Sequence, residues 1–204
     1  MERRVIVGLD NIAGQTPLDP DELEGLKHPH VTTRGQLDQL EQANFQAGMI
    51  WLGRQKRPDI LAEEFVRQLH RQMFGEVWTW AGTYRLTEKN IGIDPRQIPT
   101  QLRNLLDDVR YWIDHETYPP MEIALRFHHR LVYIHPFANG NGRFARIIAD
   151  ALLRRVLGEA PVDWTGGHDL QQMGARRELY IAALRAADDG DYSLLFEFAG
   201  YRAG

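Results

Sequence analysis

Between Ile134 and Arg146 the chain reads IHPFANGNGRFAR. One imidazole, two guanidiniums and two glycines around an asparagine stand within thirteen residues, and these are types that handle protons and phosphates. His135 carries the side chain whose ordinary pKa of about 6.5 lets it accept a proton near neutrality. Pro136 forbids continuation of the helix before it. Gly140, Asn141 and Gly142 can turn several backbone N–H groups toward one point. A helix starting just after them offers its first-turn N–H groups and the positive end of its dipole, which together attract anions. Phe144, Ile147, Ile148, Ala151 and Leu152 form one stripe of that helix. At about 100° per residue, Arg143 and Arg146 lie together roughly 140° round from the stripe, one turn apart. Two forked donors beside a ring of N–H groups suit a polyphosphate better than a lone carboxylate. With a general base alongside, this is equipment for activating a hydroxyl against a nucleotide.

The elements that must hold this loop are mostly helical. Residues 1–31 mix proline, glycine and acidic residues without helical period and read as an arm; 32–204 read as one helical domain. Thr32 and Thr33 are N-cap types ahead of a helix with Leu37, Leu40, Phe45, Met49, Trp51 and Leu52, ending before Pro58. A second helix runs from about Ile60 through Phe65, Leu69 and Phe74 to Gly75. VWTWAGTYRLTEKNIGID is aromatic and β-branched, with a polar stretch at 87–90, and predicts a short β-hairpin. Ile98, Leu102, Leu105, Val109 and Trp112 mark a third helix. Pro119-Pro120 opens a fourth, carrying Ile123, Phe127, Leu131 and Ile134. The loop follows, then the helix RFARIIADALLRRVLG, then helices over 170–187 and 192–198 with a turn at 188–191. The fold class is all-α with a β appendage.

Composition narrows the function classes. The chain has 204 residues, 24 basic and 28 acidic side chains, and a formal net charge of −4. That balance argues against a protein whose main business is gripping nucleic acid, even with Arg154, Arg155, Arg176 and Arg177 near the C-terminus. No apolar run approaches the ~20 residues of a membrane-spanning helix, and the first residues lack the apolar core of a signal peptide. Zero cysteines exclude disulfides, thiolate metal sites and cysteine nucleophiles. A cytoplasmic setting is the default expectation. The adjacent His128 and His129 point about 100° apart on a helix and read as packing or solvent-facing groups rather than metal ligands; His28 and His30 are assigned no role.

HPFANGNGRFAR resembles the Fic motif, H-P-F-x-[D/E]-G-N-G-R-x-x-R, and departs from it only at Asn139. WTWAGTYR, RFHHRLVYIHPF and RRELYIAALRAADDGDYSLL resemble the family's flanking segments, so the likeness runs from about Asn44 to Phe198. Within the family the chain is most similar to small bacterial members of the mobile mystery protein B type, which carry asparagine in the acidic slot. The resemblance implies a helical bundle with a β-hairpin flap. It implies transfer of AMP from ATP to a Ser, Thr or Tyr hydroxyl of a target protein. His135 would be the base and Phe137 the anchor of the loop in the core. Gly140, Asn141 and Gly142 would form the anion hole, and Arg143 and Arg146 would hold the outer phosphates. Leu86, Thr87, Glu88, Lys89, Asn90, Ile91 and Gly92 would form the flap that docks the target backbone as an added strand. The slot at Asn139 holds Mg²⁺ in the family. An amide oxygen can ligate a hard cation but brings no charge, so weak metal binding is expected.

Family members also carry an inhibitory helix of pattern Ser/Thr-x-x-x-Glu-Gly/Asn, whose glutamate pairs with the second motif arginine. Glu41, before the core, and Glu197, near the C-terminus, stand partway to that pattern; a separate antitoxin partner is the alternative. Three other readings remain at this point: transfer of another nucleotide or of the γ-phosphate in the same cradle, a nucleotide-binding regulatory module without catalysis, and a nucleic-acid binder.

Overall fold

Thr33 starts the first long helix. Its hydroxyl accepts from Gln36 N and the Gln36 side chain accepts in return from Thr33 N, a complete capping box. In the computed structural model, which describes residues 20–164 and 174–202, this helix is α2 (Arg34–Arg54), preceded by the single turn α1 (Pro20–Leu23). The chain continues through α3 (Glu63–Phe74), a 3-10 turn (Pro95–Gln97), α4 (Ile98–Asp114), α5 (Pro120–Ile134) and α6 (Asn141–Leu152). One π-helical turn (Leu153–Leu157) follows, then α7 (Gly174–Asp188) and α8 (Ser193–Phe198). Most of the expected arm, residues 1–19, lies outside the described residues, as do 170–173, where the expected sixth helix was to begin.

The apolar spacings read from sequence become the buried faces. Ile98, Leu102, Leu105 and Val109 on α4 are fully buried, as are Phe127 and Leu131 on α5 and Phe144, Ile148 and Leu152 on α6. Pro120 sits in the first turn of α5, where its missing N–H is not needed. That helix is central and touches α4, α6, α7 and α8. On α2 the buried positions Leu37, Asn44, Gly48 and Leu52 run down one narrow stripe, and Glu41 lies on the same stripe. Asn44 uses its place there to close the end of α3: its Nδ2 donates to Gln72 O at 3.0 Å and its Oδ1 accepts from Glu76 N at 2.9 Å.

The expected hairpin is not a hairpin. No strand pair forms within 77–94 among the described residues; the aromatic segment finds its partners elsewhere. Trp78 bridges to Leu26 of the arm, with Lys27 N donating to Val77 O and Thr79 N to Gly25 O. Tyr84 bridges to Phe137 of the loop. Two short antiparallel contacts, one on each side, replace a self-paired ribbon. Leu26 and Val31 are accordingly part of the core, and His28 Nε2 donates to Glu76 O at 3.0 Å.

Two of the C-terminal arginines serve the fold. Arg155 donates to Gln55 O and Leu52 O, closing the end of α2, and Arg176 donates to Trp164 O and Asp163 O while lying over the Phe198 ring. His128 and His129 pack, as expected: His128 Nε2 meets the Tyr180 hydroxyl at 2.9 Å, and His129 lies between Asp188 and Tyr192.

Burial pushes the imidazoles of His70 and His128 down to about 3. In the unfolded chain both titrate near 6.5, so between about 6.5 and 3 the unfolded state holds more protons. Their stabilising share is therefore complete above the unfolded value and is lost as pH falls. The urea midpoint is expected to drop between pH 7 and pH 5, and to drop less steeply in His128→Gln, which keeps a partner for Tyr180 without titrating. Equal pH slopes in the two proteins would contradict this.

Candidate active site

The helix α5 ends at Ile134, and the next residue, His135, takes left-handed backbone angles (φ 53, ψ 60) with its N–H on Leu131 O. A β-carbon residue in that region costs of order 1 kcal/mol, and glycine is the usual occupant of such a cap. The reason for histidine is its ring, which is buried beneath the 86–93 segment: a β-carbon on Gly92 would stand 2.6 Å from His135 Cβ. Gly92, at φ +101, is the residue that permits this approach. His135 Nδ1 is 3.3 Å from Val132 O. A proton donated there places the basic lone pair on Nε2. Burial pushes the His135 imidazole down to about 4, the cations of Arg85 and Lys89 push it the same way, and the Val132 carbonyl opposes them. The ring is therefore neutral near pH 7.

Behind it the loop is braced. Phe137 is fully buried, stacked on His70 with ring centres 3.7 Å apart and edge-on to Phe144. Asn141 links to Phe137 both ways: its Oδ1 accepts from Phe137 N at 2.9 Å and its Nδ2 donates to Phe137 O at 2.8 Å. Its side chain therefore shapes the loop from inside, and what it offers an anion is its backbone N–H. His70 Nδ1 accepts from Gly82 N at 3.0 Å, so its Nε2 carries the proton and donates to Asn139 O at 3.1 Å. Gly140 is the N-cap of α6, at φ +78, and no side chain caps the helix there. The first turn of α6 therefore presents backbone N–H groups and the positive end of the helix dipole without a side-chain cap, an arrangement that attracts anions.

The two motif arginines diverge. Arg143 is half-buried over the Phe74 ring and donates to Glu41 Oε2 at 2.7 Å; Glu41 Oε1 accepts from Trp78 Nε1 at 2.9 Å. Arg146 lies over the Tyr180 ring of α7. The glutamate on α2 thus meets the first motif arginine and not the second, because Arg143 faces α2 whereas Arg146 faces α7. Glu197 is exposed on α8 in a cleft of about 430 Å³ with Ser193, Phe196 and Tyr201, and no ion pair joins it to either motif arginine among the described residues.

Asn139 Oδ1 accepts from Gly140 N at 2.6 Å. Among the described residues no group of three or more His, Cys, Asp or Glu side chains could hold a metal ion. The donor set does not fit a magnesium ion held by the protein. The segment 86–92 is mostly exposed, Leu86 to 90%, but Lys89 is tied down: its ammonium meets Glu22 Oε2 at 2.5 Å, with only 2% of the lysine side chain exposed.

Three positioning groups escaped the sequence reading: Arg85, His70 and Trp78. For His70 a signal existed, since it falls on the face of α3 shared by Val66, Leu69, Met73 and Phe74, where a histidine must find partners. A substitution tests the tightness of the loop. In Gly140→Ala the new Cβ would be 2.5 Å from Phe74 Cζ in a left-handed backbone. The variant is expected to lose about 2–3 kcal/mol in urea unfolding; a loss below about 0.5 kcal/mol, within the range of neutral surface changes, would contradict the packing described.

The model of the Fic/DOC family matches residues 60–153. Over 106 residues the chain is 35% identical to the protein adenylyltransferase Fic of Nematostella vectensis, a match that covers 50% of this chain and 25% of that protein. The chain spans about a quarter of the length of the curated relatives it matches. Among solved structures, Fic-1 of Caenorhabditis elegans superposes with a TM-score of 0.65 at 24% identity, covering 86% of this chain and 51% of that one. BepC of Bartonella tribocorum, a VirB-translocated effector with bound AMPPNP, gives a TM-score of 0.64 at 16% identity, covering 96% and 93%. The solved structures show the fold, and the stretch from Ile60 to Leu153, which carries the whole loop, is the part that resembles the Fic/DOC family.

Proposed function

We propose that the protein transfers AMP from ATP to a hydroxyl of a protein target. The observation that carries this reading is the pairing of a neutral, buried His135 with the uncapped N-terminus of α6 across a braced loop. The attacking hydroxyl oxygen forms a bond to the α-phosphorus, its proton passes to His135 Nε2, and the bond to the β-phosphate oxygen breaks to release pyrophosphate. First-turn N–H groups of α6 oppose the charge that builds on the phosphates, and Arg143 and Arg146 serve the outer ones. The adenylyltransferase names of the curated relatives and the AMPPNP in BepC support ATP as donor. Segment 86–92 offers its exposed edge to the target backbone. With no carboxylate at position 139, Mg²⁺ arrives on the nucleotide's own phosphates and no step runs through a protein-held ion. The chain is read as a member of the mobile mystery protein B type, working in the cytoplasm.

Glu41 is the brake in this reading. It occupies the Arg143 guanidinium that the outer phosphates need and is itself held by Trp78. Glu197 makes no ion pair with either arginine among the described residues, which favours Glu41 for this part. An antitoxin would be a second layer of control at most.

The test is incubation with ATP labelled at the α- or the γ-phosphate, read by intact mass and autoradiography. Label from the α position on the protein or on a lysate protein is expected, with none in His135→Ala. Label from the γ position alone would overturn the reaction assigned. Because the base is pushed down to about 4, the acidic limb of the rate should lie well below the ordinary histidine value of about 6.5; a limb at 6.5 would remove His135 from the role.

Glu41→Gly should raise self-modification about tenfold or more, by freeing a guanidinium for the transition-state charge. Asn139→Asp should lower the Mg²⁺ concentration needed for half-maximal transfer. If neither variant changes rate or metal dependence, the brake and the metal reading both fall.

A further inference from the structure

Arg85 is 3% exposed, and among the described residues its guanidinium is spent on backbone carbonyls and on no carboxylate. Nε donates to His135 O at 2.7 Å and Nη2 reaches Ile134 O at 3.4 Å, the carbonyls at the end of α5. Nη1 donates to Thr87 O at 2.8 Å and Nη2 to Ile93 O at 2.5 Å, the two ends of the exposed segment. Its own backbone N donates to Pro136 O at 2.9 Å. One side chain therefore clamps the base's backbone to both ends of the segment lying over the base.

Two features mark this as built for position. A planar fork spreads five N–H donors over three nitrogens and so spans carbonyls on separate segments in one fixed geometry, whereas an ammonium gathers its three donors on one nitrogen. Gly92 leaves room for the clamp, since a β-carbon there would stand 2.6 Å from Arg85 Nη2 as well as from His135 Cβ. A cation at the last carbonyls of α5 also offsets the negative end of that helix dipole. Burial pulls the guanidinium below its ordinary value, so the arrangement holds a desolvated charge that a purely space-filling residue would avoid.

We propose that Arg85 is a positioning residue that fixes the register between segment 86–93 and His135, so that a hydroxyl carried by a strand docked on the segment arrives at the ring. The last clause rests on the transferase reading above; the clamp itself does not. Without the fork, segment and base move independently, and misplacement of about 1 Å between reacting groups costs on the order of 100-fold in rate.

The experiment compares wild type with Arg85→Lys and Arg85→Met by amide exchange over 86–93, by NMR titration of the His135 ring assigned with His135→Ala, and by binding of Mg-ATP. Both variants should exchange about tenfold faster across 86–93, as expected for a segment that opens locally. The His135 titration should move up from about 4 toward the ordinary value as the ring gains water, further in Arg85→Met, which leaves Lys89 as the remaining cation against it. ATP binding should be unchanged, and kcat for α-label transfer should fall about 100-fold with KM for ATP unmoved. Folded variants with wild-type exchange and wild-type His135 titration would overturn the proposal. If Arg85→Met fails to fold, Arg85→Lys decides alone, since it keeps the stem and charge and loses only the fork. If wild type transfers no label while exchange and titration shift as stated, the clamp stands and the transferase reading falls.

Discussion

The reversal of the chain between α5 and α6 is the constraint on which the rest of the structure depends. Six residues must turn a buried helix back into a second buried helix, with His135 at the start of the turn and the uncapped N-terminus of α6 at its end. The polar side chains that brace it are paired with backbone atoms. Asn141 meets both backbone atoms of Phe137, His70 meets Asn139 O, and Arg85 meets the carbonyls of Ile134 and His135. Leaving any one of these unmade would cost about 1–3 kcal/mol, so the loop has few cheap alternatives. Its left-handed residues, His135 and Gly140, are held by surroundings that over-determine them.

The electrostatics follow from the same geometry. Arg85 and Lys89, on the segment over His135, add cationic charge beside an imidazole that burial already pushes down. Both effects disfavour its protonation. The carboxylates nearby are committed: Glu41 to Arg143 and Trp78, Glu22 to Lys89. Glu41 reaches the site because it shares the buried stripe of α2 with Leu37 and Asn44, so its side chain has nowhere to go but inward.

How much of this was legible depends on the range of the interactions involved. The long helices were, because apolar spacing and caps are local: Thr33, the stripe from Ile98 to Val109, and Pro120 each fixed an element close to where it stands. The loop was legible too, from its residue types. The segment around Trp78 to Ile93 was misread as self-paired because β-propensity says that a stretch is extended and not what it pairs with; its partners are 25–27 and 136–137, far off in sequence. Arg85 and His70 were hidden for the same reason. Nothing in the neighbours of Arg85 announces carbonyls fifty positions away. Asn141 was read with Gly140 and Gly142 as a source of backbone N–H groups, which left its side chain without a part; the packed loop shows its amide turned back onto Phe137.

A crystal structure of the protein with a non-hydrolysable ATP analogue such as AMPPNP bears most directly on this account. The phosphates are expected against the backbone N–H groups that open α6, with the α-phosphorus within about one target hydroxyl of His135 Nε2, where a base could take its proton through a hydrogen bond of about 3 Å. A nucleotide seated away from the α5–α6 loop, or no nucleotide bound at millimolar concentration, would contradict it.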